Sequence, residues 1–171
     1  MVKRPIDICD YAGQIVKAMR PGILLTTKMG DKINSMVIGW GTLGIVWERP
    51  IFVAYVRDCR YTKQMLDHCH EFTVNVPTGP FDKRVLGICG GMSGREMDKI
   101  ALSGLTPVEP EIISTPGLKE FPLTLECKVL YDQEQEASLL GMDIKKSFYT
   151  IEKGDHTAYY GQVVSSYIIE D

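Results

Sequence analysis

Five cysteines stand in the 171-residue chain, Cys9, Cys59, Cys69, Cys89 and Cys127, and no two form a C-x-x-C pair. Their odd number and wide spacing suggest neither a disulfide framework nor a zinc ribbon, and reduced thiols in a cytoplasm are the simpler account. Positive charge is not in excess: the formal net charge is -3. That argues against wrapping nucleic acid by bulk electrostatics, so no nucleic-acid partner is expected and any basic patch must be local. The opening MVKRPIDICDYAGQ lacks the apolar core of a signal peptide. The longest uncharged run, Ile33 to Trp47, is too short for a membrane span and is broken by Asn34, Ser35, Thr42 and three glycines. A soluble, cytoplasmic protein with no membrane contact is expected. Hydrophobic content of 44% and charged content of 24% are ordinary for a globular chain, which is read as one domain over residues 1–171.

What is present centres on Lys32 to Lys63. Two apolar segments rich in Ile, Val and aromatic residues, KINSMVIGWGTLGIVW and IFVAYVR, read as strands separated near Pro50. Upstream, Asp10 to Met19 carries a helical stripe that stops at Arg20-Pro21-Gly22, and Ile23 to Met29 forms a hairpin through Gly30-Asp31. Downstream, Thr62 can cap a helix over Lys63 to Cys69, and Phe72 to Val76 returns as a strand. A helical pair follows, with Phe81, Val85, Leu86 and Ile88 on one stripe. The second helix starts at Ser93 with Glu96 at capping-box spacing, burying Met97, Ile100 and Ala101. Leu105 to Leu118 reads as loop, Phe121 to Tyr131 as a strand, Asp132 to Ser138 as an exposed turn. Phe148 to Lys153 with Thr157 to Ile169 reads as a closing hairpin. With about six or seven strands and no strand–helix alternation, the expected fold is mainly β: a largely antiparallel barrel with peripheral helices.

Five features carry candidate chemistry. Gly39, Gly41 and Gly44 match the spacing of a dinucleotide-binding turn, but Ile45-Val46-Trp47 continues as strand where a helix would have to begin. Those glycines instead let the strand bend or let a flat ligand approach the backbone. Arg57, Arg60 and Lys63 converge around Thr62 at a helix start, a seat for phosphate or simply a solvated charged surface. His68-Cys69-His70, with Cys59 upstream, offers metal-ligand types in poor geometry, because neighbouring helix positions point apart. Cys89 lies in an apolar helix without a neighbouring base and reads as a buried thiol. Asn34, Ser35 and Thr42 interrupt apolar strand and need partners, either backbone or a ligand with several hydrogen-bonding edges.

Taken in order, N-S-M-x-x-G-W (Asn34, Ser35, Met36, Gly39, Trp40), R-x-x-R-Y-T (Arg57, Arg60, Tyr61, Thr62), F-x-V-N-x-P (Phe72 to Pro77), C-G-x-x-S-G-R-x-x-D-K (Cys89 to Lys99) and H-x-x-x-x-G-x-V (His156 to Val163) cover most of the chain. Together they resemble the flavin reductase-like, FMN-binding split-barrel family, and within it the flavoredoxin-like branch. The resemblance implies a homodimeric, Greek-key-like split barrel with FMN near the dimer interface. It implies that Asn34, Ser35, Met36, Gly39, Trp40, Gly41 and Thr42 lie along the isoalloxazine ring. Arg57, Arg60, Tyr61, Thr62 and Lys63 would surround the phosphate, and Ser93, Gly94 and Lys99 would contact the ribityl chain or phosphate. No catalytic acid or base and no metal is expected, because the flavin carries the redox chemistry. The implied activity is that of an FMN-dependent oxidoreductase: NAD(P)H gives a hydride to flavin N5, and electrons pass to free flavin, a ferric complex or a protein acceptor. Two other readings stay open, a flavoredoxin-like electron carrier reduced by a protein partner and a flavin-free binding module. Residues 132–147 match no family motif, and Gln162 stands where an acidic residue is more usual.

Overall fold

The computed structural model describes residues 1–150 and 154–171. Its strands in chain order are β1 Val2–Pro5, β2 Ile23–Met29, β3 Lys32–Ile38, β4 Gly41–Val46, β5 Arg49–Arg57, β6 Glu71–Val76, β7 Pro107–Val108, β8 Gly117–Leu118, β9 Leu123–Glu134 and β10 His156–Glu170. The helices are α1 Ile8–Met19, α2 Tyr61–Cys69, α3 Arg84–Gly91, α4 Lys99–Ser103 and α5 Met142–Phe148. One antiparallel sheet runs β3-β2-β6-β9-β10-β5-β4, with β1 added along the far half of β10. The expected mainly β, antiparallel architecture with peripheral helices is therefore present.

The 15-residue β10 organises this sheet. Its first half, from His156 to Gln162, pairs with β5, while Tyr167 to Glu170 pairs with β1. Two register shifts against β9, at Tyr160/Gly161 and Val163/Ser165, let it change neighbours, because bulges add local twist and bend the strand. Gly161 is required there: a Cβ would come within 2.5 Å of the Phe72 ring. The neighbouring Gln162 accepts a 2.9 Å hydrogen bond from Arg49.

Period-2 alternation turns Leu25, Met36, Phe52, Phe72, Val74, Leu125 and Tyr159 into one interior, closed by Ile15 and Met19 of α1 and Leu66 of α2. On the opposite face of β2, β3 and β6, the chain from α3 to Phe121 forms an outer layer through Val85, Cys89, Ile100, Leu118 and Phe121.

The structure departs from the sequence expectations in definite places. The run from Ile33 to Trp47 is not one strand: it breaks at Gly39-Trp40, and its halves β3 and β4 end at opposite edges of the sheet. Pro50 lies inside β5 opposite Ile45, and the β4–β5 turn is made by Trp47 and Glu48, both at positive φ (53° and 57°). Ser93 to Met97 is a turn, and α4 begins only at Lys99, capped by Asp98, whose carboxylate accepts from the Ala101 N–H. Met97 is accordingly 45% exposed, and Ala101 is exposed too. Thr62 is not a cap; Arg60 holds that position without a side-chain bond. β9 continues to Glu134 instead of turning at Asp132, and α5 follows. β10 pairs with β5 and β9; of its expected hairpin partner, residues 151–153 lie outside the described residues.

Candidate functional site

Two adjoining cavities lie where β3, the start of α2 and the turn after α3 converge. The first, about 150 Å³, is lined by Cys59, Arg60, Tyr61 and Thr62 from the start of α2, and by Gly91 to Arg95 and Lys99 from the turn and α4. The second, about 160 Å³, is lined by Ile38, Gly39, Trp40, Tyr55, Arg57 and His156. Met36 and Arg60 line both, so the two form one elongated site.

The first cavity is an anion seat by composition. Arg60, Arg95 and Lys99 line it and, among the described residues, no acidic one does. Arg60 donates to the Gly90 carbonyl at 2.9 Å, and Lys99 to the Cys89 carbonyl at 3.1 Å. Both cations thus rest on the C-terminal carbonyls of α3, whose unpaired acceptors carry partial negative charge. Lys99 is 4% exposed and has no carboxylate within 4 Å among the described residues. Burial, together with Arg60, holds its ammonium pKa below the usual lysine value, against a smaller opposing pull from Cys89. Among the described residues only one of its three N–H donors is used, which leaves two for a ligand. The first N–H groups of α2 add donors with no acceptor inside the helix.

Thr62, although not a cap, is held in place by the strand below. Asn34 is buried on β3 and donates through Nδ2 to Thr62 Oγ1 at 2.9 Å. Its Oδ1 is buried without a partner among the described residues. A Cβ on Gly94 would sit 2.1 Å from that oxygen, so only glycine lets the turn close over Asn34.

The second cavity is more open and has aromatic rings in its lining. Backbone from Met36 to Trp40 forms one wall, as β3 ends and the chain crosses to β4. The Trp40 ring lies 4.8 Å from His156 and 5.2 Å from Phe148. Arg57 donates to the carbonyls of Gly154 and Phe148 and stands 5.9 Å over Trp40. His156 is 4% exposed and its Nδ1 has no partner among the described residues; burial, and next Arg57, lower its pKa to about 4, so the imidazole is neutral at pH 7.

Of the sequence candidates, Met36, Gly39, Trp40, Arg57, Arg60, Tyr61, Thr62, Ser93, Gly94 and Lys99 line one cavity or the other, and Asn34 stands behind Gly94. Arg57 lines the cavity with Trp40 and His156 and not the one with Lys99. Lys63 is turned away into a 3.0 Å ion pair with Asp67. Ser35 bonds Thr26 at 2.6 Å in a buried polar seam with Asn75 and Thr73. Gly41 lies against Phe52, and Thr42 is exposed on β4 opposite Val53. Several lining residues were not among the candidates, Arg95, His156 and Tyr55 among them. Arg95 and His156 each fall inside a quoted motif, while Tyr55 could be found only from its place two residues before Arg57 on the same strand face.

A family model for the flavin reductase like domain matches residues 18–171. The chain belongs to that family. An uncharacterized protein of Archaeoglobus fulgidus is 28% identical over 134 residues, 78% of this chain and 64% of that protein, so the chain spans less than two thirds of that relative's length. Flavoredoxin of Desulfovibrio vulgaris (Miyazaki F) superposes with a TM-score of 0.68 at 25% identity, covering 88% of this chain and 70% of that one. An FMN-binding protein from Thermus thermophilus, solved with bound 1-cyclohex-2-enone, gives 0.63 at 20% identity over 85% and 68% of the two chains. The fold of this flavin reductase-like chain is thus the split barrel of its FMN-binding neighbours. Among the described residues no helix is long and apolar enough to cross a membrane.

Proposed function

We propose that the protein binds FMN and acts as an oxidoreductase, with the phosphate among Arg60, Lys99, Thr62 and Ser93 and the ring along Met36 to Trp40. The observation that carries this reading is the acid-free cationic cavity joined through Met36 and Arg60 to an aromatic-lined one. A flat ring with an anionic tail matches that division. The buried, under-used Lys99 ammonium and the Gly94 turn that a Cβ would close both fit the group.

When bound, FMN would supply the redox chemistry, accepting a hydride at N5 from NAD(P)H and passing electrons to an acceptor. The chain's own part is to bind and orient. Arg60 and Lys99 neutralise the phosphate by charge-assisted bonds. The Ile38–Trp40 backbone offers donors and acceptors to a ring edge. His156, neutral and short of one partner, can hydrogen-bond ring or substrate without adding charge.

The likeness to flavoredoxin supports a second version, in which a partner protein instead of a nicotinamide supplies the electrons. Anaerobic bleaching of FMN-loaded protein by NADH or NADPH separates the two. A homodimer is also part of this reading. Trp47, Tyr131 and Tyr160 cluster at 5.3 to 6.4 Å on the outer face of β4, β5, β9 and β10, with Ile45 and Leu130 exposed beside them. An apolar patch of that kind marks an interface, and a second copy would cover it beside Tyr55 at the aromatic cavity. The test of cofactor binding is comparative: Arg60→Ala or Lys99→Ala should weaken FMN about tenfold, about 1.4 kcal/mol, and riboflavin hardly at all. Equal weakening of both would contradict the phosphate assignment.

A further inference from the structure

The chain that follows β9 lies outside every motif quoted above, and it ends on the aromatic cavity. Helix α5 buries none of its residues, and Leu139, Met142 and Ile144 are exposed on it or just before it. A segment with so little buried apolar contact belongs to the part of a fold that opens at low free energy. It is anchored at its C-terminal end. The Phe148 carbonyl accepts from Arg57 at 3.3 Å, and Tyr149 Oη donates to Gln135 Oε1 at 2.7 Å. The Phe148 ring stands edge-on to Trp40 with centroids 5.2 Å apart. Tyr149 reaches both Trp40, at 6.4 Å, and His156, at 5.3 Å. Trp40 itself belongs to neither neighbouring strand: it sits in the Gly39-Trp40 link between β3 and β4. Its ring is held against His156 by these aromatic neighbours.

We propose that Phe148 and Tyr149 are positioning residues that latch Trp40 over the aromatic cavity, and so control entry of a second planar ring, the nicotinamide of a hydride donor. The inference rests on the flavin reading above. Size supports it. The two cavities, about 150 and 160 Å³, together only reach the lower end of the roughly 300–1,000 Å³ usual for a small-molecule site. With the latch closed there is room for one ligand, and a ring stacking on that ligand needs Trp40 to swing aside. The strength of the contacts agrees. Ring-edge packing, a neutral hydrogen bond from Tyr149 and a long one from Arg57 can break and remake, whereas Arg60 and Lys99 grip a phosphate by charge. The consequence is selective. A ligand that enters only the open form loses apparent affinity in proportion to the open fraction, and one that binds both forms alike loses none. The nicotinamide is of the first kind and the phosphate-anchored flavin of the second.

The experiment compares the full chain with Phe148→Ala, Phe148→Tyr and Tyr149→Phe. Phe148 is exposed and Tyr149 half-buried, so the variants should keep the thermal midpoint of the parent. The first readout needs no cofactor. In a Trp47→Phe background Trp40 is the chain's single tryptophan. Its emission should shift to the red, with stronger acrylamide quenching, in Phe148→Ala and Tyr149→Phe. The second readout is stopped-flow bleaching of FMN-loaded protein by NADH and NADPH without oxygen. Phe148→Ala should lower the half-saturating nicotinamide concentration about tenfold and Tyr149→Phe about threefold, with the limiting rate and the FMN affinity within about twofold of the parent. Phe148→Tyr keeps the ring edge and should behave as the parent in both. A higher half-saturating concentration in Phe148→Ala would make that ring part of the donor's seat and overturn the latch. So would unchanged Trp40 emission, an FMN affinity that falls as far as the nicotinamide term moves, or no bleaching of parent and variants alike; each would leave flavin binding intact. Failure of the parent to bind FMN would remove the flavin reading and this inference with it.

Discussion

Lys99 shows how one side chain can be poised for a ligand. Its ammonium is nearly sealed from water and rests on one carbonyl of α3, and burial lowers its pKa. An arriving phosphate dianion would favour the charged form, so binding should take up a proton wherever the free lysine is partly neutral. The sign follows: FMN affinity should fall as pH rises through the depressed lysine pKa, and riboflavin affinity should not. Calorimetry in two buffers of different ionisation heat measures the proton directly, and Lys99→Met should abolish the uptake. Gly94 is the complementary case. Gly94→Ala places a Cβ 2.1 Å from Asn34 Oδ1, so the turn must shift outward, at a cost of about 1–3 kcal/mol by urea denaturation and with loss of FMN binding. Arg60 and Lys99 were legible as candidates because charge type is written in the sequence. Which of Arg57, Arg60 and Lys63 share a cavity was not legible. Arg57 ends strand β5, Arg60 precedes the helix, and Lys63 finds Asp67 one helical turn on.

At the scale of elements, two devices hold pieces that local propensity would not. Trp47 and Glu48 occupy positive φ in the β4–β5 turn, where a non-glycine residue costs about 1 kcal/mol. Glu48→Gly should therefore raise stability by a comparable amount, read as a higher urea midpoint at unchanged slope. The buried Glu126 carboxylate on β9 accepts from the backbone N–H groups of Glu111, Ile112 and Ile113 and from Tyr167 Oη at 2.9 Å. Glu126→Ala strips these donors of their acceptor and should cost about 3–5 kcal/mol, with residues 109–115 the first to exchange amide hydrogens. Nothing in a one-dimensional pattern announces that staple, since a lone acid in an apolar strand has no local partner. The same limit explains the misplaced start of α4. Ser93-x-x-Glu96 has capping-box spacing, but Gly94 must pack on Asn34 and Ser93 must face the cavity, so the turn persists until Asp98 caps instead. The strands β2 and β6 were legible nearly to the residue because each is a short run of almost wholly buried residues cut off by turn signals, Pro21-Gly22 and Gly30-Asp31 around β2 and Pro77 after β6.

For the whole molecule, the sheet's order brings sequence-distant motifs to one place: β3, the α2 start, the turn after α3 and the first residue of β10. That convergence also couples stability to acidity. His156 has a pKa of about 4 in the fold against 6.5 unfolded, so its contribution is complete above pH 6.5 and lost as pH falls from there through about 4. The thermal midpoint should drop across that window more steeply in the parent than in His156→Phe, and parallel curves would show that the buried imidazole is not the cause. The aromatic outer face makes a further expectation at this scale. Trp47→Asp should shift a dimer to monomer by light scattering, and a parent protein that is already monomeric would contradict it. The most direct measurement of the central claim is a titration of the purified chain with FMN and, separately, riboflavin, followed through the flavin's visible absorption. Saturable binding of FMN with a perturbed band is expected, with riboflavin at least about tenfold weaker. An unperturbed spectrum at saturating FMN, or equal affinity for the two ligands, would contradict a site built from a cationic seat joined to an aromatic one.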